Sequence, residues 1–238
     1  MTHFFSKIKS WKNQLLCHQG LKHYLSNTSW LLAENMLRLL AGLFVGIYVA
    51  RFLGPDQYGL YSYSLAFVSL FGAIANLGLD SLVVRELVNQ PESQDKILGT
   101  AFWLKTVGAI LMMITIGAVV PFTNNNATTK TYISIIAFGV IFQAFDVIDI
   151  YFQTKVQAKY VSICKAIQLL LISLVKLYLI YVCADLIWFV ITTTIGVASL
   201  SIFMLYAMHH KYSLLFLIKF DTKIAKALMK ESWPMIFA

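Results

Sequence analysis

The sequence predicts an all-α integral membrane protein: a six-helix transmembrane bundle followed by the start of a seventh helix. Three observations carry that class. The 238-residue chain is 59% hydrophobic and only 13% charged, a balance that soluble domains rarely reach. Apolar runs recur at 29–53, 58–80, 97–121, 131–153, 162–182 and 187–208, and about 20 apolar helical residues cover the hydrocarbon core of a bilayer. The cations alternate in sidedness. Of the 19 Lys and Arg, Arg51 and Lys130 alone fall in links on one side, and Arg38, Lys105 and Lys176 alone fall deep inside runs. The rest gather before the first run, between the second and third, between the fourth and fifth, and after the sixth. Cations favour the cytoplasmic face, so the N-terminus and the segment after the sixth run are expected in the cytoplasm.

Residues 1–28 are a cytoplasmic basic, partly amphipathic segment. They set Phe4, Ile8, Trp11 and Leu15 at helical spacing among Lys7, Lys9, Lys12 and Lys22. Two readings stand: a helix lying on an anionic membrane surface, and a basic tail that only sets topology. No uninterrupted apolar stretch precedes Ser29, so no cleavable signal peptide is expected.

The first two runs meet at Arg51-Phe52-Leu53-Gly54-Pro55-Asp56, followed by Tyr58-Gly59. Glycine frees the backbone, proline cannot continue a helix, and aspartate suits a turn. Two membrane-length helices joined so tightly form an antiparallel hairpin. Residues 81–96 then read as a link with a surface helical turn broken at Pro91. Residues 154–161 are polar and basic. Residues 209–232 form an amphipathic linker with Ile224 and Leu228 among lysines, and 233–238 open a seventh run at Pro234. The expected domains are therefore 1–28, the 29–208 bundle, the 209–232 linker and the 233–238 start of a further span.

Several chemistries find no support. The net charge of +8 is explained by topology, so no nucleic-acid partner is expected; membrane lipids are. His3, His18, His23, His209 and His210 all lie outside the runs, and no metal spacing, HExxH, GxSxG, Walker or CxxC pattern occurs, so neither an enzyme nor a metal site is expected. Cys164 and Cys183 flank the fifth run about 28 Å apart at 1.5 Å per residue, so they and Cys17 are expected as free thiols.

Charged groups in hydrocarbon cost about 2.5–3.5 kcal/mol each on insertion scales, so their helical phase is informative. Glu34, Arg38, Gly42, Gly46 and Ala50 recur every four residues and share one stripe. That stripe reads as a local Glu34–Arg38 pair on a packed helix, as a charged cavity wall, or as both. Gly42 and Gly46 also fit the pattern that lets helices approach closely. Ser62, Ser69, Ala73, Asn76 and Asp80 share a face of the second run, lining water or bonding a neighbouring helix. Lys105 lies about 12 Å into the third run and is expected to face a cavity. Asp146 is expected as a buried carboxylate, with Asp149 and Lys165 near the interface. Lys176 sits about 9 Å from the outer end of its run, within reach of snorkelling.

Residues 47–85 carry a specific pattern: Ala50-Arg51-Phe52-Leu53-Gly54-Pro55, Tyr58-Gly59-Leu60-Tyr61, Leu77-Gly78-Leu79-Asp80 and Val84-Arg85-Glu86. It resembles the first hairpin of polysaccharide flippases, the Wzx-type lipid-linked oligosaccharide translocases of the multidrug/oligosaccharidyl-lipid/polysaccharide exporter superfamily. Lys230-Glu231-Ser232-Trp233-Pro234 is similar to the segment that begins their seventh helix. The resemblance implies one lobe, the N-terminal half, of a two-lobe exporter. Such an exporter flips undecaprenyl-diphosphate-linked oligosaccharide repeat units across the bacterial inner membrane for surface polysaccharide or O-antigen. It also implies no cofactor, and transport coupled to a proton or sodium gradient. Arg38 and Lys105 would then meet the diphosphate or acidic sugars, and Asp146 or Glu34 would carry a coupling proton. Glu34, Arg38, Asn76, Lys105, Asp146 and Lys176 are thus the expected cavity residues, and Arg51, Gly54, Pro55, Tyr58 and Gly59 the structural hairpin. A partner is expected too: the missing C-terminal half, or a second copy, since the chain reads as truncated. The alternatives are a drug/cation antiporter of the same superfamily and a non-transporting subunit or inactive fragment.

Overall fold

The computed structural model describes residues 19–211 and 219–236, and among them every regular element is helical. The amphipathic pattern of residues 4–15 lies outside them. The helices are α1 (Gln19–Leu70), α2 (Gly72–Asn76), α3 (Asp80–Asn89), α4 (Gln94–Val119), α5 (Ala127–Gly139), α6 (Val147–Thr154), α7 (Ala158–Tyr181), α8 (Leu186–Lys211) and α9 (Thr222–Ile236). Short 3₁₀ segments cover Pro91–Ser93, Val120–Phe122 and Val140–Asp146.

Five helical stretches are long and apolar enough to cross a membrane, and the first, Ser26–Leu70, is 45 residues long. That stretch is two arms, because Gly54 has φ 71° and ψ 174° inside it. The contacts prove the reversal. Asn27 Oδ1 accepts from the Ala158 amide at 2.6 Å, and the Lys159 ammonium lies 5.7 Å from the Trp30 ring. Tyr61 meets Lys176, near the other end of α7. A straight helix would carry Tyr61 about 50 Å beyond Asn27, whereas Ala158 and Lys176 are about 27 Å apart. A fold at Gly54 closes that gap, so the chain makes six passes and the Gly54-Pro55 hairpin is real.

The apolar side chains form two cores stacked along the bundle axis. One, toward α9, holds Leu79, Val83, Leu98, Val147, Phe152 and Met204. The other, toward the Gly54 end, holds Val49, Tyr61, Met112, Ile133, Phe189 and Val190. Between them α2 and α4 approach at backbone distance. A Cβ built on Gly108 would lie 2.6 Å from the Ala75 carbonyl oxygen and 2.9 Å from that of Ile74. Backbone atoms cannot swing aside, so Gly108→Leu should cost at least about 1–3 kcal/mol, read as a lower midpoint of thermal unfolding in detergent. Unchanged unfolding would mean that the two helices separate without penalty.

The structure sharpens three expectations about elements. The helical turn expected in residues 81–96 is a helix that ends before Pro91, but it does not lie on the surface. α3 buries Leu82, Val83 and Leu87, continuing the descent of the second pass after a break at Leu77 and Gly78. The fourth pass is not one α-helix; it changes to 3₁₀ over Val140–Asp146. The end of the 209–232 linker and the start of the 233–238 run share one helix, since α9 extends from Thr222 to Ile236 with Pro234 inside it. Residues 237–238 lie outside the described residues. α9 buries Ala225 and Leu228 in the lower core. Its rim is ionic: Arg85 pairs with both Glu86 and Glu231, Lys219 with Asp95 at 2.6 Å and Lys96 with Asp221 at 4.0 Å. The two carboxylates hold the Arg85 guanidinium above its ordinary pKa.

Candidate functional site

Polar groups gather at the level where the two cores part. Two passes lose α-helical geometry there. Leu77 (φ 50°) and Gly78 (φ 62°) are consecutive left-handed residues, which lets the second pass stop at Asn76 and restart at Asp80. The Val140–Asp146 stretch tightens to 3₁₀. Non-helical backbone at membrane depth survives only where protein or water satisfies it. Here α8 does so. The Thr194 hydroxyl donates to the Ile135 carbonyl at 3.1 Å, and Ser201 donates to that of Phe142 at 2.7 Å.

The breaks bring five charges together. The Lys105 side chain is buried and its ammonium lies 2.5 Å from Asp80 Oδ1, while Asp80 is 58% exposed. Lys105 was expected to face a cavity itself; antiparallel packing of α3 on α4 instead covers its stem and leaves its partner open. Lys165 Nζ donates to Asp149 Oδ2 at 2.6 Å, so these two, expected near the interface, form a mostly buried pair. Asp146 is partly buried between the pairs, within the fields of Lys105, Lys165, Asp80 and Asp149.

The other expected residues lie elsewhere. Glu34 is buried, and Arg38, 60% exposed, reaches it at 3.8 Å and also donates to Asn35 Oδ1. The local pair and the uncovered cation thus coexist. Gly42 and Gly46 have nothing within 4 Å of where a side chain would begin, so among the described residues no helix uses the close approach they permit. Asn76 is half-buried at the break. Lys176 donates to the Tyr61 hydroxyl at 3.4 Å, and that hydroxyl shares a 2.8 Å hydrogen bond with Thr193. Lys176 thus belongs to a separate polar group nearer the Gly54 end. Arg51 and Gly59 are exposed and Tyr58 is partly buried beside Tyr61, their rings 6.3 Å apart.

Sequence reasoning missed two functional candidates. Tyr61 reads as an ordinary core aromatic, and no local signal marks its hydroxyl. Asp80 was recognised on its polar face but not as the partner of Lys105, a contact that only tertiary packing creates. A mostly apolar pocket that includes Ser69, Gln143, Thr193 and Thr194 among its lining residues adjoins the Tyr61–Thr193 group.

Comparison with known proteins agrees with this architecture. The family model described as "Polysaccharide biosynthesis protein" matches residues 24–238. A solved MOP superfamily transporter from Pyrococcus furiosus Vc1 (DSM3638) superposes with a TM-score of 0.70 at 16% sequence identity, covering 94% of this chain. The chain spans 54% of the length of that structure. Among curated proteins none matches.

Proposed function

The chain belongs to the polysaccharide biosynthesis protein family, and from that premise we propose that its six-pass bundle is one lobe of a flippase for lipid-linked oligosaccharides. The substrate is an undecaprenyl-diphosphate-linked repeat unit, carried across the bacterial inner membrane for surface polysaccharide such as O-antigen. The facing lobe comes from further chain or a second copy, and residues 209–232 are the linker toward it. The cation asymmetry supports a cytoplasmic N-terminus and a periplasmic Gly54-Pro55 tip.

The observation that carries this reading is Arg38. Its guanidinium is 60% exposed about 12 Å beyond Trp30 along α1, too deep to leave facing lipid without cost. An uncovered arginine at membrane depth suits a wet cavity wall facing an anion, and the diphosphate accepts its bidentate hydrogen bonds. Ser69 before the break of the second pass and Asp80 after it are also exposed, adding polar surface on another pass. An acid-dominated cavity would instead favour drug/cation antiport.

The test is complementation in cells lacking their own flippase. Arg38→Ala should cut surface polysaccharide at least about tenfold, equivalent to about 1.4 kcal/mol, at equal expression. Lipid-linked repeat units should accumulate on the cytoplasmic leaflet. Full export by Arg38→Ala would remove its assigned role, and failure of the wild-type carrier to alter the leaflet distribution would remove the substrate class.

A further inference from the structure

The start of α1 and the link from α6 to α7 enclose a cavity of about 240 Å³, whose walls include Ser26, Asn27, Trp30, Gln157, Lys159 and Tyr160. None of its lining residues belongs to the polar groups between the cores. Asn27 Oδ1 accepts from the Ala158 amide at 2.6 Å, so the two walls are fastened to each other. The chain enters the second wall through Val156, whose φ of 56° is a costly conformation for a β-branched residue. The Val156 and Gln157 amides donate to the Gln153 and Phe152 carbonyls at 3.0 and 2.9 Å. These bonds close α6 and turn the chain toward Gln157 and Lys159.

The cavity carries a cation without a counter-charge. The Lys159 ammonium lies 5.7 Å from the Trp30 ring centroid, an attraction that holds it at the cavity and leaves its charge in place. Among the described residues no carboxylate pairs with it. The chain offers none nearby in sequence either: no Asp or Glu precedes Glu34, and none occurs in residues 150–184. The basic segment 1–18 therefore brings no carboxylate to Lys159. Asn27 accepts through Oδ1, which leaves its NH₂ group to donate, and the exposed Ser26 adds a hydroxyl. One free cation, neutral donors and an indole thus share one small space.

Trp30 stands at the start of the 29–53 apolar run, so the cavity lies where hydrocarbon gives way to headgroups, the level that Trp and Tyr favour. The cation asymmetry supports this end as the cytoplasmic one, where the leaflet carries anionic lipid and basic pockets between membrane helices take its headgroups. We propose that this cavity binds the headgroup of an anionic glycerophospholipid of the cytoplasmic leaflet. Lys159 meets the phosphodiester, and Asn27 and Ser26 donate to its phosphate or glycerol oxygens. A phosphodiester carries one negative charge, which the one free ammonium matches; a diphosphate carries more. The volume is also below the about 300–1,000 Å³ of pockets that enclose drug-sized ligands, so it suits a single phosphate headgroup and not an oligosaccharide. The bound headgroup bridges α1 and α7 at one end of the bundle. This site is independent of what the bundle transports.

Native mass spectrometry of the purified chain in detergent, titrated with phosphatidylglycerol, phosphatidylcholine or undecaprenyl diphosphate, counts the bound lipid. The wild type should hold one phosphatidylglycerol more tightly than phosphatidylcholine. Lys159→Gln should weaken phosphatidylglycerol binding about fivefold, the effect of one lysine at an anionic surface, and leave phosphatidylcholine binding unchanged. Lys159→Arg should keep the wild-type affinity. Lys155→Gln is the control: it removes the same charge from the same link, but its ammonium lies 5.5 Å from the Tyr151 ring and does not line the cavity. It should bind as the wild type does. Equal losses in Lys155→Gln and Lys159→Gln would reveal diffuse attraction to a basic surface and overturn the proposal. Equal retention of the two phospholipids would overturn it as well. Tighter binding of undecaprenyl diphosphate than of phosphatidylglycerol would give the cavity to that carrier lipid and remove the phospholipid assignment.

Discussion

Lys105→Met should abolish transport and also weaken the bundle. Methionine fills much of the same volume, so the loss isolates the charge. The ammonium is buried and lies 2.5 Å from Asp80; without it, three carboxylates share the Lys165 charge. Removing one partner of a fully buried pair costs about 3–5 kcal/mol. Asp80 is 58% exposed, so water recovers part of that, and a fall of about 1–3 kcal/mol is expected. Thermal unfolding in detergent reads the stability and surface-polysaccharide complementation reads the transport. The double variant Asp80→Asn/Lys105→Met removes the orphaned carboxylate and should recover stability without recovering export. Export by the double variant would show that Lys105 serves only to neutralise Asp80.

Gly54→Val should prevent the first two passes from folding back on each other. Gly54 has φ 71° and ψ 174°, a region open almost only to glycine and costing other residues about 1–3 kcal/mol. Crowding plays no part, since nothing lies within 4 Å of its Cβ position. Gly54→Ala should therefore damage the protein nearly as much as valine does, whereas a steric site would discriminate between them. Gly59→Ala is the control: it too has nothing within 4 Å, its φ is not positive, and it should fold normally. Cysteine labelling at Asp56 in intact cells, with the yield of monodisperse protein, measures the outcome. Normal labelling and yield for Gly54→Val would mean that the reversal does not need that backbone conformation.

Much of this architecture was legible because its causes are short-range. Apolar length, the Gly54-Pro55 turn and the sidedness of the lysines each depend on residues close together in the chain, and the structure reproduces the six passes. Phase arguments held only within an unbroken helix. Glu34 and Arg38, one turn apart on α1, are indeed neighbours. From Gln143 to Asp146 the chain turns once every three residues, so the two share a face more closely than 100° per residue would place them. Counting down the second pass cannot place Asp80, because Leu77 and Gly78 reset the direction of the chain before it.

The sequence alone therefore determined that the chain crosses a membrane repeatedly, where it turns, and which residues carry charge into the apolar layer. Hydrophobic burial and turn chemistry act locally, and they leave a periodic record. Only the tertiary structure decided how those charges are used: Lys105 buried against an open Asp80, Lys165 on Asp149 and Lys176 on Tyr61. Pairing across passes depends on the relative height and rotation of helices far apart in sequence. Two breaks in helical geometry, at Leu77-Gly78 and Val140–Asp146, set both quantities at the level where the charges meet.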